Sequence, residues 1–339
     1  MSKIAMSRLG TNGQWGNQVV QYAFLRTWAR RYGIDYEVPP WVGQHLYGFD
    51  DPPVSGPKLP DRHEQKHPST NRGMFAHPIL PDRGEFTGFD FTGYAQFHTS
   101  YYAQDREFIN GLYSTLTPPA AEEYLPLVAK LRARGKTIIG IHLRYGDAGR
   151  MVYFLTPMLW VLRWLRENWL RFDAPVLFIA TEEVEYAWPF ERYNPVLVED
   201  LGYRYAAAPP PLYTYPYDQE NGTRRQMNFF GDWFLLQHCD VILGSGSSSY
   251  SFSAAWTGTR CREYWWPRMS LLGFEQIDPW DSEMSTMEHL DDYPGIPGVS
   301  RDSADRRWQR HWGTYKNKHP SIPEDPEEIK RWMTPPSQS

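Results

Sequence analysis

The run Thr137-Ile138-Ile139-Gly140-Ile141-His142-Leu143-Arg144 reads as a strand buried on both faces. Four of its first five residues are β-branched, and apolar residues are not confined to alternate positions, as expected of a parallel strand covered by helices on both sides. A histidine and an arginine then stand together where the strand meets its loop, Arg144-Tyr145-Gly146-Asp147. In open α/β sheets ligands bind outside the carboxyl ends of the strands. An arginine held there presents a planar fork that can grip a phosphate through two charge-assisted hydrogen bonds. The structural alternative is an Arg144–Asp147 ion pair closing a turn.

Residues 232–256 carry a second signal of the same kind. Asp232 to His238 has a helical pattern with apolar Trp233, Phe234, Leu235 and Leu236, and Val241-Ile242-Leu243 is a short buried strand. Gly244 to Ser249 is a small-residue loop, and Tyr250 to Trp256 opens another helix. A strand, a Gly/Ser loop and a helix N-terminus together make an anion site, because free backbone N–H groups and the helix dipole point at the ligand. The alternative is an ordinary β–α turn with one serine as N-cap. Ser247, Ser248 and Ser249 in a row exceed what a cap requires.

The third signal lies near the start. Lys3 to Ser7 reads as a first strand, Gly13-Gln14-Trp15-Gly16-Asn17-Gln18 follows, and Val19 to Ala29 has apolar residues at helical spacing with Gly33 as a stop. Glycines ahead of a helix let backbone approach a ligand closely, although the spacing is not that of a dinucleotide fingerprint.

These three segments, in this order, resemble the GDP-fucose-dependent fucosyltransferase superfamily, which includes the α-1,2- and α-1,6-fucosyltransferases and the protein O-fucosyltransferases. Residues 13–18 with Gln21-Tyr22-Ala23 are similar to the family's Gly-x-x-Gly-Asn-Gln opening, and His142-Leu143-Arg144 to its His-x-Arg motif. The segment from Asp232 to Tyr250 is similar in spacing to Asp…Asp…Gly…Ser-Ser-Phe, and Thr92-Gly93-Tyr94-Ala95-Gln96 with Tyr101-Tyr102 to a Gly-Tyr-x-Gln stretch. Tyr145 stands where many members carry a second basic residue.

The resemblance implies an α/β chain of two facing Rossmann-like domains, the GT-B arrangement, with a cleft between them. It implies an inverting, metal-independent transfer of fucose from GDP-fucose to a glycan hydroxyl. Arg144 would be catalytic at the β-phosphate. The nucleotide sugar would be bound by Gly16, Asn17, His142, Arg144, Asp232, Ser247, Ser248, Ser249 and Tyr250, with His142 and Asp232 at the guanine. The expected partners are a nucleotide-sugar donor and a glycan acceptor, with no cofactor and no metal. The alternatives are transfer from GDP-mannose or another 6-deoxy sugar nucleotide, hydrolysis of a nucleotide sugar, and a non-catalytic binding module.

Leaving-group chemistry points the same way. Breaking an anomeric C–O bond builds negative charge on a diphosphate, which many transferases neutralise with a cation on an Asp-x-Asp motif. This sequence has no Asp-x-Asp. Arg144 and the Ser247–Ser249 loop would supply the charge and donors instead. For the base that takes the acceptor proton, Asn17, Asp50, Asp51 and His98 are the candidates.

Composition fits a globular enzyme. A length of 339 residues allows two domains with a sizeable core, and a net charge of −5 carries no nucleic-acid signature. Mean hydropathy is low at −0.61, but 16% aromatic residues argue against disorder. Cys239 and Cys261 form neither a disulfide framework nor a metal motif and fit a reducing compartment. No apolar run approaches 18 residues and the first expected strand begins at Lys3, so the expectation is a cytoplasmic protein with no leader and no membrane span. The domains expected are 1–134 on the acceptor side, 135–270 binding the nucleotide sugar, and a C-terminal extension 271–339. Glu122 to Arg134 should be the last helix of the first. Strands at 176–180 and 196–198, with a helix over 160–169, should continue the second. The Pro-, Gly- and charge-rich stretch 50–85 is long for a loop within a domain and suggests a functional or mobile role.

Overall fold

The computed structural model describes residues 3–64, 87–144, 156, 158–181, 184–204, 229–246, 248–268, 271 and 273–284. The fold is α/β with two largely parallel sheets. The first contains β1 (Lys3–Ala5), β2 (Asp35–Glu37), β3 (Asp61–His63) and β4 (Phe89–Thr92), in the order β2-β1-β4-β3, with every pair parallel. The second contains β5 (Thr137–Leu143), β6 (Pro175–Thr181), β7 (Val241–Leu243), β8 (Glu263–Arg268) and β9 (Gly273–Ile277), in the order β6-β5-β7-β8-β9, with β9 antiparallel to β8.

All seven residues of β5 are buried, which is why its sequence is apolar throughout. Its two faces meet different cores. Ile138, with Phe178 and Ile242 from the neighbouring strands, packs into the larger core, which also holds β1 and α1 (Trp15–Tyr32). Ile139, Ile141 and Leu143 pack into the second core beneath α5 (Met158–Asn168). The strand period of two therefore turns His142 toward the larger core, and Arg144 is the next position on that face.

Thirteen of the eighteen residues of α1 are buried, including Gln18 and Gln21. A helix enclosed on nearly all sides belongs inside a molecule, not on its surface. It lies against α7 (Ser249–Thr257). Around these helices stand α2 (Val42–Tyr47), α3 (Arg106–Leu112), α4 (Pro118–Arg132) and α6 (Phe229–Gln237). The larger core thus joins residues of both sheets. Gly33 ends α1 in the left-handed conformation, as its position after Tyr32 predicts.

Three expectations change. Of 196–198, only Val196 pairs, in a single bridge to Phe178, and Val198–Leu201 turns as a 3₁₀ helix. The stretch 50–85 is not all loop, since it contributes β3 to the first sheet; residues 65–86 lie outside the described residues. Helix α6 starts at Phe229, so Asp232 sits inside its first turn and does not open it. Beyond residue 271, β9 extends the second sheet, and Trp280 packs on Trp256 with ring centroids 5.1 Å apart. Among the described residues no helix is long and apolar enough to cross a membrane.

Candidate functional site

The carboxyl end of β5 delivers His142 to the start of α7. Its Nδ1 lies 3.2 Å from the Ser251 hydroxyl, and its ring centroid is 4.9 Å from that of Tyr250. The same Ser251 Oγ accepts the backbone N–H of Ser245 at 3.3 Å, and Thr156 Oγ1 accepts that of Gly246 at 2.8 Å. The loop after β7 is thus pinned by side-chain hydroxyls from two other segments. Loops fixed in this way present their remaining donors in set directions. Arg144 stands just past the end of β5 and is partly exposed.

Of the three consecutive serines, Ser247 lies outside the described residues, as do Tyr145, Gly146 and Asp147. Ser248 is the N-cap of α7, its Oγ accepting the N–H of Tyr250 at 3.4 Å. One of the three is therefore a cap, as the structural alternative supposed. Ser249 has a different task. Its hydroxyl donates to Asn17 Oδ1 at 2.7 Å, and the Gln96 amide donates to the same oxygen at 2.6 Å. This three-residue junction brings the opening motif, the Gly-Tyr-x-Gln stretch and the serine loop to one point. With Oδ1 accepting twice, Asn17 keeps its amide N–H groups as donors.

The glycine of the opening motif makes a close backbone approach. A Cβ on Gly16 would stand 2.6 Å from the Tyr250 Cα and backbone nitrogen. Gly16 is needed so that α1 can meet the start of α7, backbone against backbone, and this is what holds the two loops together. The motif glutamines are structural too. Gln18 Nε2 donates to the carbonyls of Gly10 and Gly13, and Gln21 Nε2 to that of Asn12. Asn12 in turn donates to Gly93 O at 3.1 Å. Asp232 is buried on α6, the helix packed beside α7, and the next residue, Trp233, donates to Ser253 of α7 at 3.0 Å.

The acids and bases sort clearly. Asp51 has a fully buried side chain that accepts from Tyr22 and Tyr36 on Oδ1 and from Trp41 and Gln44 on Oδ2, with Arg26 at 3.9 Å. Burial, with the Asp51 carboxylate adding to it, pushes the Tyr22 phenol far above its ordinary range and that of Tyr36 up to about 12. Four donors thus occupy both oxygens of Asp51 and leave no room for a substrate hydroxyl. His98 is exposed and caps a 3₁₀ turn through Ser100, and Asp50 is exposed.

Sequence reasoning missed Glu64. It follows β3 directly, and its Oε2 accepts the N–H of Tyr94 at 2.6 Å. Burial pushes its carboxyl up to about 7, against the pull of the Tyr94 and Ala95 amides. Its Oε1 is buried and, among the described residues, meets no hydrogen-bond donor. Ala95 adopts φ +54°, a conformation that costs a non-glycine residue energy and tends to mark functional turns. Only the unusual length of 50–85 hinted at this region.

No protein-family model and no curated protein matches the sequence. Among solved structures the chain is similar to the fucosyltransferase NodZ from Bradyrhizobium, at 12% identity over 82% of this chain and 98% of that one, with a TM-score of 0.48. It is similar to Arabidopsis thaliana FUT1 in complex with GDP, at 10% identity over 81% of this chain and 74% of that one, with a TM-score of 0.45. It is also similar to POFUT1 in complex with GDP, at 11% identity over 78% of this chain and 98% of that one, with a TM-score of 0.44.

Proposed function

We propose that this chain is a glycosyltransferase that moves fucose from GDP-fucose to a glycan hydroxyl, inverting the anomeric centre and without a metal ion. The observation that carries the reading is the junction at Asn17, where Gln96 and Ser249 donate to one amide oxygen. It sets the start of α1, which follows β1, and the loop after β4 against the start of α7, which follows β7, so segments leaving the carboxyl ends of both sheets meet there. Carboxyl ends are where α/β sheets bind nucleotides. The proposed arrangement is two Rossmann-like units, 1–134 and 135–270, facing across a cleft at this point, the first taking the acceptor and the second the donor.

In this reading the diphosphate lies over the loop 245–249 and the start of α7, where backbone amides and the helix dipole favour an anion. Arg144 holds the β-phosphate and gains as charge builds there during bond breaking. His142 and Tyr250 form the wall on which the nucleoside rests, and Asp232 accepts hydrogen bonds from guanine N1 and N2. Asn17 directs its amide hydrogens toward the sugar.

The test is a side-by-side thermal-shift and turnover screen with GDP-fucose, GDP-mannose, UDP-sugars and dTDP-rhamnose, each with and without EDTA. The expected result is stabilisation and GDP release with GDP-fucose, unchanged by EDTA. A response confined to another nucleotide sugar, or turnover abolished by EDTA and restored by magnesium or manganese, would refute the corresponding half of the proposal.

A further inference from the structure

We infer that Glu64 is the general base that takes the proton from the acceptor hydroxyl, an inference that rests on the transferase reading above. The argument starts from position. Strands β3 and β4 are parallel, with His63 level with Thr92, so Glu64 stands beside Gly93 at the carboxyl edge of the first sheet. Asn12, from the loop after β1, donates to the carbonyl of that same Gly93, and three residues on Gln96 reaches Asn17. Glu64 therefore shares the carboxyl edge of the first sheet with the loop that reaches the Asn17 junction. An acceptor on this edge would lie between Glu64 and a donor sugar held near Asn17.

The seat of Glu64 is built for one carboxyl oxygen. Oε2 is held by the Tyr94 amide, with the Ala95 amide also directed at the carboxylate. A Cβ on Gly93 would come within 2.5 Å of Oε2, so the site requires glycine there. Oε1 is left without a donor among the described residues. That oxygen is buried and lacks a donor among these residues, so an acceptor hydroxyl entering there would satisfy it as it gives up its proton. Its pKa of about 7 suits a base working near neutrality. The titratable groups around it do not compete. Tyr102, whose hydroxyl donates to Ala95 O at 2.7 Å, is held well above its ordinary range by burial, and His63 is exposed. Burial and two amides, not a neighbouring charge, set the state of Glu64.

The step balances. The acceptor O–H bond breaks and its proton goes to Glu64 Oε1. The oxygen electron pair forms the bond to the anomeric carbon, and the bond from that carbon to the diphosphate oxygen breaks, its pair leaving on GDP beside Arg144. Glu64 then returns the proton to solvent.

The experiment uses the full chain and GDP-fucose. Calorimetry measures binding, and GDP release is followed from pH 5 to 9 with water as acceptor and again with a panel of free oligosaccharides. Wild type should bind and should show a rate that rises through a midpoint near 7. Glu64→Gln, which can keep the two amide contacts, should bind GDP-fucose within about twofold. It should lose the pH-dependent limb and turn over at least about a hundredfold more slowly at pH 8, as loss of a general base predicts. Glu64→Asp should retain the limb at a reduced rate. Unchanged rate and pH profile in Glu64→Gln, with normal binding, would overturn the inference and leave the transferase reading intact. Absence of binding heat in wild type would overturn both.

Discussion

Two carboxylates in the first half of the chain show how differently a fold can bury the same group. Asp51 accepts four side-chain hydrogen bonds and has a guanidinium nearby. Glu64 accepts backbone amides on one side and keeps its other oxygen bare among the described residues. The donors of Asp51 come from α1, β2 and α2, so it ties three elements together and has no capacity left over. Glu64 ties down one turn and keeps its proton affinity high. A buried acid that is fully partnered is architecture, whereas one that is half partnered at the edge of a parallel sheet is available for chemistry.

The contrast is broken most sharply at Asp51. Asp51→Ala strands four buried donors and the Arg26 cation. It should cost about 3–5 kcal/mol of stability, the penalty of removing one side of a buried polar cluster. Urea unfolding should reveal this while donor binding per folded molecule is retained. A normal unfolding midpoint would mean that the cluster is not structural.

The opposite signature belongs to Arg144, at the edge of the second sheet. Arg144→Ala should stay folded and lose at least about a hundredfold in kcat, as expected when one preorganised charge partner of a leaving group is removed. Arg144→Lys should recover only part, because the ammonium lacks the planar fork. A lowered melting temperature with normal kcat would instead assign Arg144 to an ion pair.

Distinctive in sign is the effect of Glu64 on stability. Its folded pKa of about 7 lies above the ordinary value of 4.5. Between those two pH values the folded state holds a proton that the unfolded state has released. Stability contributed by the group is therefore present at low pH, declines as pH rises through this window, and is lost above about 7. Glu64→Gln should raise stability at pH 8 by about 3 kcal/mol, with the difference vanishing toward pH 4. Melting curves across pH would show it, and a variant less stable than wild type at pH 8 would place Glu64 with Asp51.

The same two regions differ in how much of them can be read from sequence. Strand β5 is legible because helices cover both of its faces, leaving an uninterrupted apolar run with His142 and Arg144 at its end. The loop after β7 is legible because small residues between a strand and a helix have few other uses. Strand β3 is not, since Asp61-Arg62-His63 is polar, short and at a sheet edge, where pairing is by backbone alone. Glu64 is hidden for a related reason: the amides that hold it come from Tyr94 and Ala95, some thirty residues away. Asp232 misleads because aspartate is a favoured N-cap, whereas α6 already begins at Phe229. Gly16 is legible as a close approach, but what it approaches is Tyr250 of another helix. The sharing of Asn17 by Gln96 and Ser249 joins three distant segments and leaves no local pattern.

The central claim is that the edges of both sheets form one nucleotide-sugar site. Hydrogen–deuterium exchange of the full chain with and without saturating GDP tests it most directly. The account predicts added protection in both the segment 10–17 and the segment 244–250, centred on the Asn17–Ser249 contact. Protection in only one of these regions, or in neither while GDP is bound, would contradict it.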